Sequence, residues 1–408
     1  MAAPSPPYDS SAGHQPSLRA SRWRRANPWL GKLIPSLLLV FAVKGYTLVA
    51  RDVFPLIYRR RPLAGLVYFA WVNLTLAMTG WSYSTVYFTS RAPPKEKEPP
   101  LPVREKQVVF ACDESGAPLR CYYDQCDGAW QSIRTRHCRD CGSCRAGFDH
   151  HCAFMDNCIS ASTYKPFFCF LLYAFLLLVV ALVPLAPLQY RAVREVVQQT
   201  WGTSFMRELW WSPWYGWAGG PVWRYAGAAF LGYKHYSRLA PDRPLLIPDV
   251  ETRTFRSGAA TSAYDVPVYP SLALPRLSTL AIVVFAVLIS SIALAMLVAV
   301  VRNTRTGVST VQLERTRRWR LQSGQANPGY DARLRLWVPL SDSEEGGAVV
   351  LVEPNLPLFD FGAGENWRKL MGKEWWEWLT PWRLGSSSDL ELNPAVLAAL
   401  EEKARKQQ

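Results

Sequence analysis

At 408 residues the chain could hold roughly two or three soluble domains, but 49% of it is hydrophobic, it contains 18 Trp, and its apolar residues are gathered in long blocks. That distribution excludes an ordinary soluble fold and predicts an α-helical polytopic membrane protein. A net charge of +14 would suit nucleic acid, yet the basic residues lie beside apolar blocks, as at Arg59 to Arg61 and Arg315 to Arg320. This placement excludes nucleic-acid binding in favour of anionic lipid head groups and the excess of Lys and Arg on cytosolic flanks.

Residues 1–32 are rich in Pro and Ser, include the basic run Arg19, Arg22, Arg24, Arg25, and lack the apolar core of a cleavable signal. They read as a disordered cytosolic N-terminus. The first candidate span is 33–50; Lys44 inside it must snorkel or face other helices. The second, 63–88, carries no charge and ends in aromatic residues that suit a membrane interface. Residues 91–107 are Pro-rich and charged, an exposed linker, and lead into a cysteine-rich domain over 108–165. The third candidate span, 166–187, begins eight residues after Cys158, which tethers that cysteine near the membrane surface.

Residues 190–275 form a long lumenal or interfacial connection containing Trp210, Trp211, Trp214, Tyr215 and Trp217, rings that suit the head-group level. The fourth candidate span, 277–301, is 25 residues without a charge. Arg302 and Arg305, then Arg315, Arg317, Arg318 and Arg320, mark the region 302–408 as cytosolic. Four spans put both termini and the cysteine-rich domain on that same side. Against this, the loop between the first two spans carries Arg51 and Arg59 to Arg61, although this topology makes it lumenal.

The cysteine-rich stretch carries the chemistry. Between Cys121 and Cys158 lie seven of the nine cysteines and three of the five histidines. Thiolates a few residues apart can reach one tetrahedral Zn2+ from a single tight turn. Six cysteines other than Cys152 and two histidines make eight ligands, two Cys3His sites, leaving Cys152 and one histidine for chemistry. In extended backbone adjacent side chains diverge, so His137 and Cys138 serve different ions, and His150 and His151 have different jobs. A histidine two residues from a cysteine, held by a neighbouring acid, is an economical source of a thiolate, and Asp149, His150 and Cys152 have those roles available. Cys112 competes for a ligand position. A purely structural zinc module is the rival reading, and it leaves Cys152 without a purpose.

Asp149-His150-His151-Cys152 and its surrounding ligands resemble the cysteine-rich domain of the DHHC protein S-acyltransferases (palmitoyltransferases), which lies between the second and third of four membrane helices in that family. The resemblance implies a cytosolic zinc-bound domain of short hairpins, with a first zinc site of Cys121, Cys126, His137 and Cys144. It implies a second of Cys138, Cys141, His151 and Cys158. Arg134 and Phe167 also match the family pattern. The departures are the spacing Cys121-x4-Cys126, Ala153-Phe154 for Pro-Trp, Ser160 for Gly and Thr163 for Asn. Ser309-Thr310-Val311-Gln312 resembles a degraded Thr-Thr-x-Glu motif, and an aromatic motif over 358–383 resembles the family's C-terminal one. In that motif Trp375, Trp376, Trp378 and Trp382, with Lys373 and Arg383, suit a membrane-surface helix. The extended Trp-rich tail resembles fungal members most.

What the resemblance implies for function is a palmitoyl group moved from palmitoyl-CoA to cysteine thiols of membrane-associated proteins through an acyl-Cys152 intermediate. His150 is then the general base, Asp149 orients it, and two structural Zn2+ frame the site. Partners are membrane lipid, acyl-CoA and the protein substrates; the location is the endomembrane system. Lys165 and Arg302 are candidates for CoA phosphates, beside the plainer reading of ordinary flanking charge. The alternative is a zinc-built membrane adaptor of the same family. A channel is disfavoured, because the second to fourth spans lack the charges of an ion pathway.

Overall fold

The computed structural model describes residues 30–89, 97–235, 276–322, 333–341, 346–381 and 390–407. The N-terminal segment up to residue 29, part of the linker, the second half of the 190–275 connection, Trp382 and Arg383 lie outside the described residues. Among the described residues four helices are long and apolar enough to cross a membrane: Lys32–Arg60, Pro62–Phe88, Tyr164–Gly202 and Leu277–Thr306. The cysteine-rich module lies between the second and third. Large apolar side chains on these helices stand exposed, Leu39 at 65%, Val67 at 60% and Val298 at 59%. That pattern fits lipid rather than water as the surrounding solvent. Hydroxyls within the second span are satisfied locally: Thr75 Oγ1 donates to Trp71 O at 2.8 Å and Ser82 Oγ to Met78 O at 2.7 Å. Hydrocarbon offers them no other partner.

The first span is longer than the sequence predicts. Helix α1 (Leu30–Leu48) passes through a π turn (Val49–Val53) into α2 (Phe54–Arg60), and α3 (Pro62–Phe88) follows. The expected loop carrying Arg51 and Arg59 to Arg61 is therefore helical, with Arg61 alone as the connection. The physical reason is Pro62. A residue before proline is pushed out of the helical region, and Arg61 sits at φ −144°, ψ 87°. Glycine lets the two helices meet there, since a Cβ on Gly65 would overlap the Tyr58 backbone.

The chain divides into two compact units. One comprises Leu37–Ala77 and Tyr173–Leu294. Its core gathers Leu48, Val53, Leu185 and Val283. Here the third helix, α4 (Tyr164–Gly202), runs well past the predicted end at 187, with Pro184 and Pro187 inside it. The expected connection is a folded lobe in its described part: α5 (Gly220–Lys234) packs Tyr233 against Ala192 and Val196. Its tryptophans are not all at the surface. Trp210 and Trp211 are buried, Trp210 Nε1 donates to Arg224 O at 2.8 Å, and the buried Arg224 guanidinium lies 3.0 Å over the Trp217 ring.

The other unit takes in Met78–Leu172 and Ala295–Gln408 and contains the cysteine-rich module. The module is built of two hairpins, as expected: β2 (Arg136–Cys138) with β3 (Ser143–Arg145), and β4 (His150–Cys152) with β5 (Asn157–Ile159). The sequence reading missed a third sheet. Strand β1 (Phe110–Ala111) pairs with β6 (Leu334–Pro339), which pairs with β7 (Gly347–Val352), all antiparallel. A C-terminal helix, starting at Pro394 and ending at Arg405, covers this sheet with Val396, Leu400 and Ala404, four residues apart on one face. Asn393 caps it by accepting from Ala395 N at 2.9 Å. Cys112 is buried in this core beside Val103, Phe110 and Trp337, so it is not a metal-ligand candidate.

Helix α6 (Leu277–Thr306) turns into α7 (Thr310–Gln322) at Gly307, whose φ is +63°. A Cβ there would collide with the Phe359 carbonyl. Gly307→Ala therefore costs about 1 kcal/mol for the left-handed backbone and more for the collision. The expected readout is a lower thermal unfolding midpoint than wild type in the same detergent.

Candidate functional site

The two Cys/His groups form as paired in the sequence. Cys121, Cys126, His137 and Cys144 bring their ligand atoms within 4.8 Å of one another, and so do Cys138, Cys141, His151 and Cys158. Strand register accounts for this. His137 lies opposite Cys144 and His151 opposite Cys158, while alternation sends Cys138 and His150 to the other faces of their strands. His137 Nδ1 is 3.3 Å from Cys126 Sγ and 3.7 Å from Cys121 Sγ; His151 Nδ1 is 3.6, 3.5 and 3.8 Å from Cys138, Cys141 and Cys158. A tetrahedral zinc with ordinary Zn–S and Zn–N bonds separates sulfur from nitrogen by about 3.5 Å.

The protonation chemistry fits a cation too. In the first group a hydrogen bond from Cys144 holds Cys121 down to about 4, and the same bond pushes Cys144 far up; burial raises Cys126. In the second, hydrogen bonds from Cys141 and Cys158 hold Cys138 far below the usual thiol range, while Cys158 is pushed far above it. Each group thus favours one thiolate at the expense of its neighbours, and a divalent ion is what lets three ionise together. Around the first group, Tyr123 stacks on the His137 ring at 3.9 Å and Gln131 Nε2 donates to Cys144 Sγ at 3.3 Å. Both residues hold ligands in place.

Asp149, His150 and Cys152 form the third constellation. Asp149 Oδ2 is 2.8 Å from His150 Nδ1. Asp149 is buried, and burial works against its charge, but hydrogen bonds from His150 and from Thr310 hold its carboxyl below the usual range. Thr310 N donates to Asp149 Oδ1 at 2.6 Å and Thr310 Oγ1 to Oδ2 at 2.8 Å. Burial likewise opposes charge on His150, yet hydrogen bonds with Asp149 and Cys152 outweigh it and push the imidazole up to about 9. Cys152 is two residues along the same strand, on the same face as His150, and is 4% exposed. Phe167 packs edge to face on His150 at 5.8 Å.

The turn after Cys152 is latched onto the end of α3. Asn157 Nδ2 donates to Val86 O at 2.8 Å and Thr89 O at 3.0 Å, and Tyr83 Oη donates to Phe154 O at 3.2 Å. Ser160 and Thr163, departures from the family pattern, serve the start of α4: Ser160 N donates to Thr163 Oγ1 at 2.9 Å, which donates to Cys158 O at 2.9 Å. Arg134 donates to Gly307 O and stacks 4.1 Å over Phe359. Gln312 Nε2 reaches Leu356 O at 3.1 Å. A cleft of about 460 Å³ opens beside Asp149 between Arg134, Asn366 and Lys369. Of the two basic candidates for CoA phosphates, Lys165 is 2% exposed and engaged, while Arg302 is exposed. In the sequence Thr310 stands in the four-residue motif just past the fourth span and Asn366 in the C-terminal aromatic motif, whereas nothing there marks Gly307 or the partners that Thr310 and Asn366 take.

Comparison with known proteins agrees with this site. Residues 120–212 match the family model described as DHHC palmitoyltransferase. The chain is 32% identical over 134 residues to probable protein S-acyltransferase 13 of Arabidopsis thaliana, covering 31% of this chain and 44% of that protein. It is 36% identical over 97 residues to palmitoyltransferase spe-10 of Caenorhabditis elegans, covering 24% of this chain and 26% of that one. The chain thus spans less than half the length of these curated relatives. The match holds all eight paired Cys/His residues and Asp149, His150 and Cys152. With them in one hairpin frame beside a candidate span, residues 120–212 are similar to the DHHC palmitoyltransferase family over the whole of the Cys/His module.

Proposed function

We propose that this protein is a protein S-acyltransferase that moves a palmitoyl group from palmitoyl-CoA to cysteine thiols of membrane-associated proteins, with Cys152 as the nucleophile. The observation that carries the reading is the Asp149 to His150 contact at 2.8 Å, with Cys152 on the same strand face. Asp149, fixed from behind by Thr310, orients the imidazole and stabilises its charged form. His150 takes the Cys152 proton. The Cys152 sulfur attacks the thioester carbonyl, its S–C bond forms as the bond to the CoA sulfur breaks, and the proton goes to the departing CoA thiolate. In the second half-reaction a substrate thiol gives its proton to His150 and attacks the acyl-Cys152 carbonyl; Cys152 leaves and is reprotonated.

Two Zn2+ would be held by Cys121, Cys126, His137 and Cys144 and by Cys138, Cys141, His151 and Cys158; the first would tie the first hairpin to the segment before it, and the second would tie the two hairpins together. With four protein ligands each, such ions would have no open position for substrate and would serve structure alone. The latch of Asn157 on α3 supports a site close to the membrane, where an acyl-CoA with its tail in the bilayer presents its thioester. Persistent zinc thiolates favour a reducing, cytosolic side for the module.

Incubating purified protein with an alkynyl palmitoyl-CoA analogue tests the reading. A hydroxylamine-labile label with stoichiometric CoA release is expected. No label, with both ions bound, would favour an adaptor instead. Thr310→Val is expected to slow acyl-enzyme formation roughly 10- to 100-fold, since it deletes one hydrogen bond to a charged carboxylate. Stopped-time labelling checks it, and a wild-type rate would remove Thr310 from the positioning role.

A further inference from the structure

The turn after Cys152 is met from the second candidate span by a phenol. Tyr83, on α3, donates from Oη to Phe154 O, the carbonyl two residues past Cys152, at 3.2 Å. Its ring packs against Tyr87, one turn further along α3, at 5.8 Å and against Phe170 of α4 at 5.7 Å. Close by on α3, Val86 O accepts from the Asn157 side chain, and Asn157 is the strand partner of Cys152. The phenol is thus held where two spans and the second hairpin converge, and its hydroxyl is within electrostatic reach of Cys152.

Acyl transfer at Cys152 needs a donor for the substrate's oxygen as well as a base for its proton. When a thiolate adds to a thioester, the carbonyl oxygen becomes an oxyanion, and a preplaced donor aimed at it is usually the largest aid such a step receives. His150 is engaged with Asp149 and Cys152 and handles the proton. Phe154 stands where the family pattern has Trp, and its ring has no N–H to offer. Tyr83 Oη has one to give. Its present bond, at 3.2 Å, is long for O–H···O, which usually spans about 2.5 to 3.0 Å. A hydroxyl in a long bond to a neutral carbonyl turns readily to a charged oxygen, where the bond is shorter and stronger. Asp156, in the same turn, also acts on Tyr83, and its negative charge makes an unaided oxyanion costlier there. A thioester whose chain lies in the bilayer reaches Cys152 from the side of the spans, the side that Tyr83 occupies.

We propose that Tyr83 is a further catalytic residue, the donor that binds the oxyanion of the tetrahedral intermediate in both half-reactions; this rests on the acyltransferase reading. As the Cys152 sulfur bonds to the carbonyl carbon, the electron pair of the C=O bond moves onto oxygen, and the Tyr83 hydroxyl turns from Phe154 O to bind it while keeping its own proton. When that pair returns, the bond from carbon to the CoA sulfur breaks, and the hydroxyl goes back to Phe154 O.

Tyr83→Phe keeps the ring and its contacts with Tyr87 and Phe170 and removes only the hydroxyl. The full chain in nanodiscs, wild type beside the variant, is treated with palmitoyl-CoA and, separately, with iodoacetamide, which alkylates a thiolate at a methylene carbon and forms no oxyanion. Peptide mass spectrometry follows both products at Cys152. The expected result is acyl-enzyme formation slowed by roughly 100-fold or more, the usual cost of one oxyanion donor. Alkylation, zinc content and unfolding temperature are expected to stay at wild-type values. Equal acylation rates overturn the proposal. So does slowing of both reactions by the same factor, which would make Tyr83 a positioning residue for Cys152, and so does loss of zinc from the variant, which would make it a structural strut. Wild type that is alkylated at Cys152 but never acylated overturns the acyltransferase reading itself, and this one with it.

Discussion

Cys152→Ser is expected to abolish hydroxylamine-labile acyl incorporation while both metal ions remain bound. A serine hydroxyl beside His150 is far harder to ionise than a thiol, and the buried position leaves no water to substitute for it. Removing the nucleophile of a unit that acts together typically costs roughly four to six orders of magnitude in rate. The fold should survive, because Cys152 belongs to neither metal group and its strand stays paired through Asn157. The readouts are gel fluorescence of the alkynyl label and metal content by native mass spectrometry. Residual label on the serine variant at a wild-type rate would move the nucleophile elsewhere; Cys112 and Cys169, both buried in apolar surroundings and outside the metal groups, are the other cysteines to test.

Cys158→Ser has the second large effect, and it acts on the fold. Cys158 faces His151 across the second hairpin and its sulfur is 3.3 Å from Cys141 Sγ. A structural zinc contributes about 10 to 16 kcal/mol to folding, as much as the whole of a domain's ordinary stability of about 5 to 15 kcal/mol. Losing the fourth ligand should release that ion, and with it the frame that sets His150 against Cys152. The expected outcome is one zinc per chain or fewer, proteolysis within residues 133–160, and no acyl label. Prolonged treatment of wild type with a chelator should converge on the same state. A variant with one ion fewer and unchanged protease resistance would show that hydrophobic contacts, not metal, hold the module.

Much of this site was legible before any coordinate. Three of the four spans follow from uncharged runs long enough to cross hydrocarbon, and the first from an apolar run broken only by Lys44, a purely local property. Alternation along short strands parts His137 from Cys138 and His150 from His151, while the full ligand sets are what the family resemblance implies. Both depend on neighbours a few residues apart, and short-range geometry is what a sequence writes plainly.

The rest depends on distance. Thr310 reaches Asp149 across 161 residues of chain, and strand β1 pairs with β6 more than two hundred residues later. A single hydroxyl or a two-residue strand carries no period from which such a partner can be read. The apolar runs at 334–339 and 347–352 announce strands, but not that they complete a sheet with the segment before the first zinc ligand. Arg51 and Arg59 to Arg61 read as a loop because charge usually ends a span; Pro62 instead confines the turn to Arg61 and leaves Arg51, Arg59 and Arg60 on helical turns. The sequence by itself determined that there are four apolar spans, that adjacent ligands part, and the chemistry on offer. Only the tertiary structure decided what holds Asp149 and which aromatic rings are left facing outward, because those depend on which surfaces long-range packing has already covered.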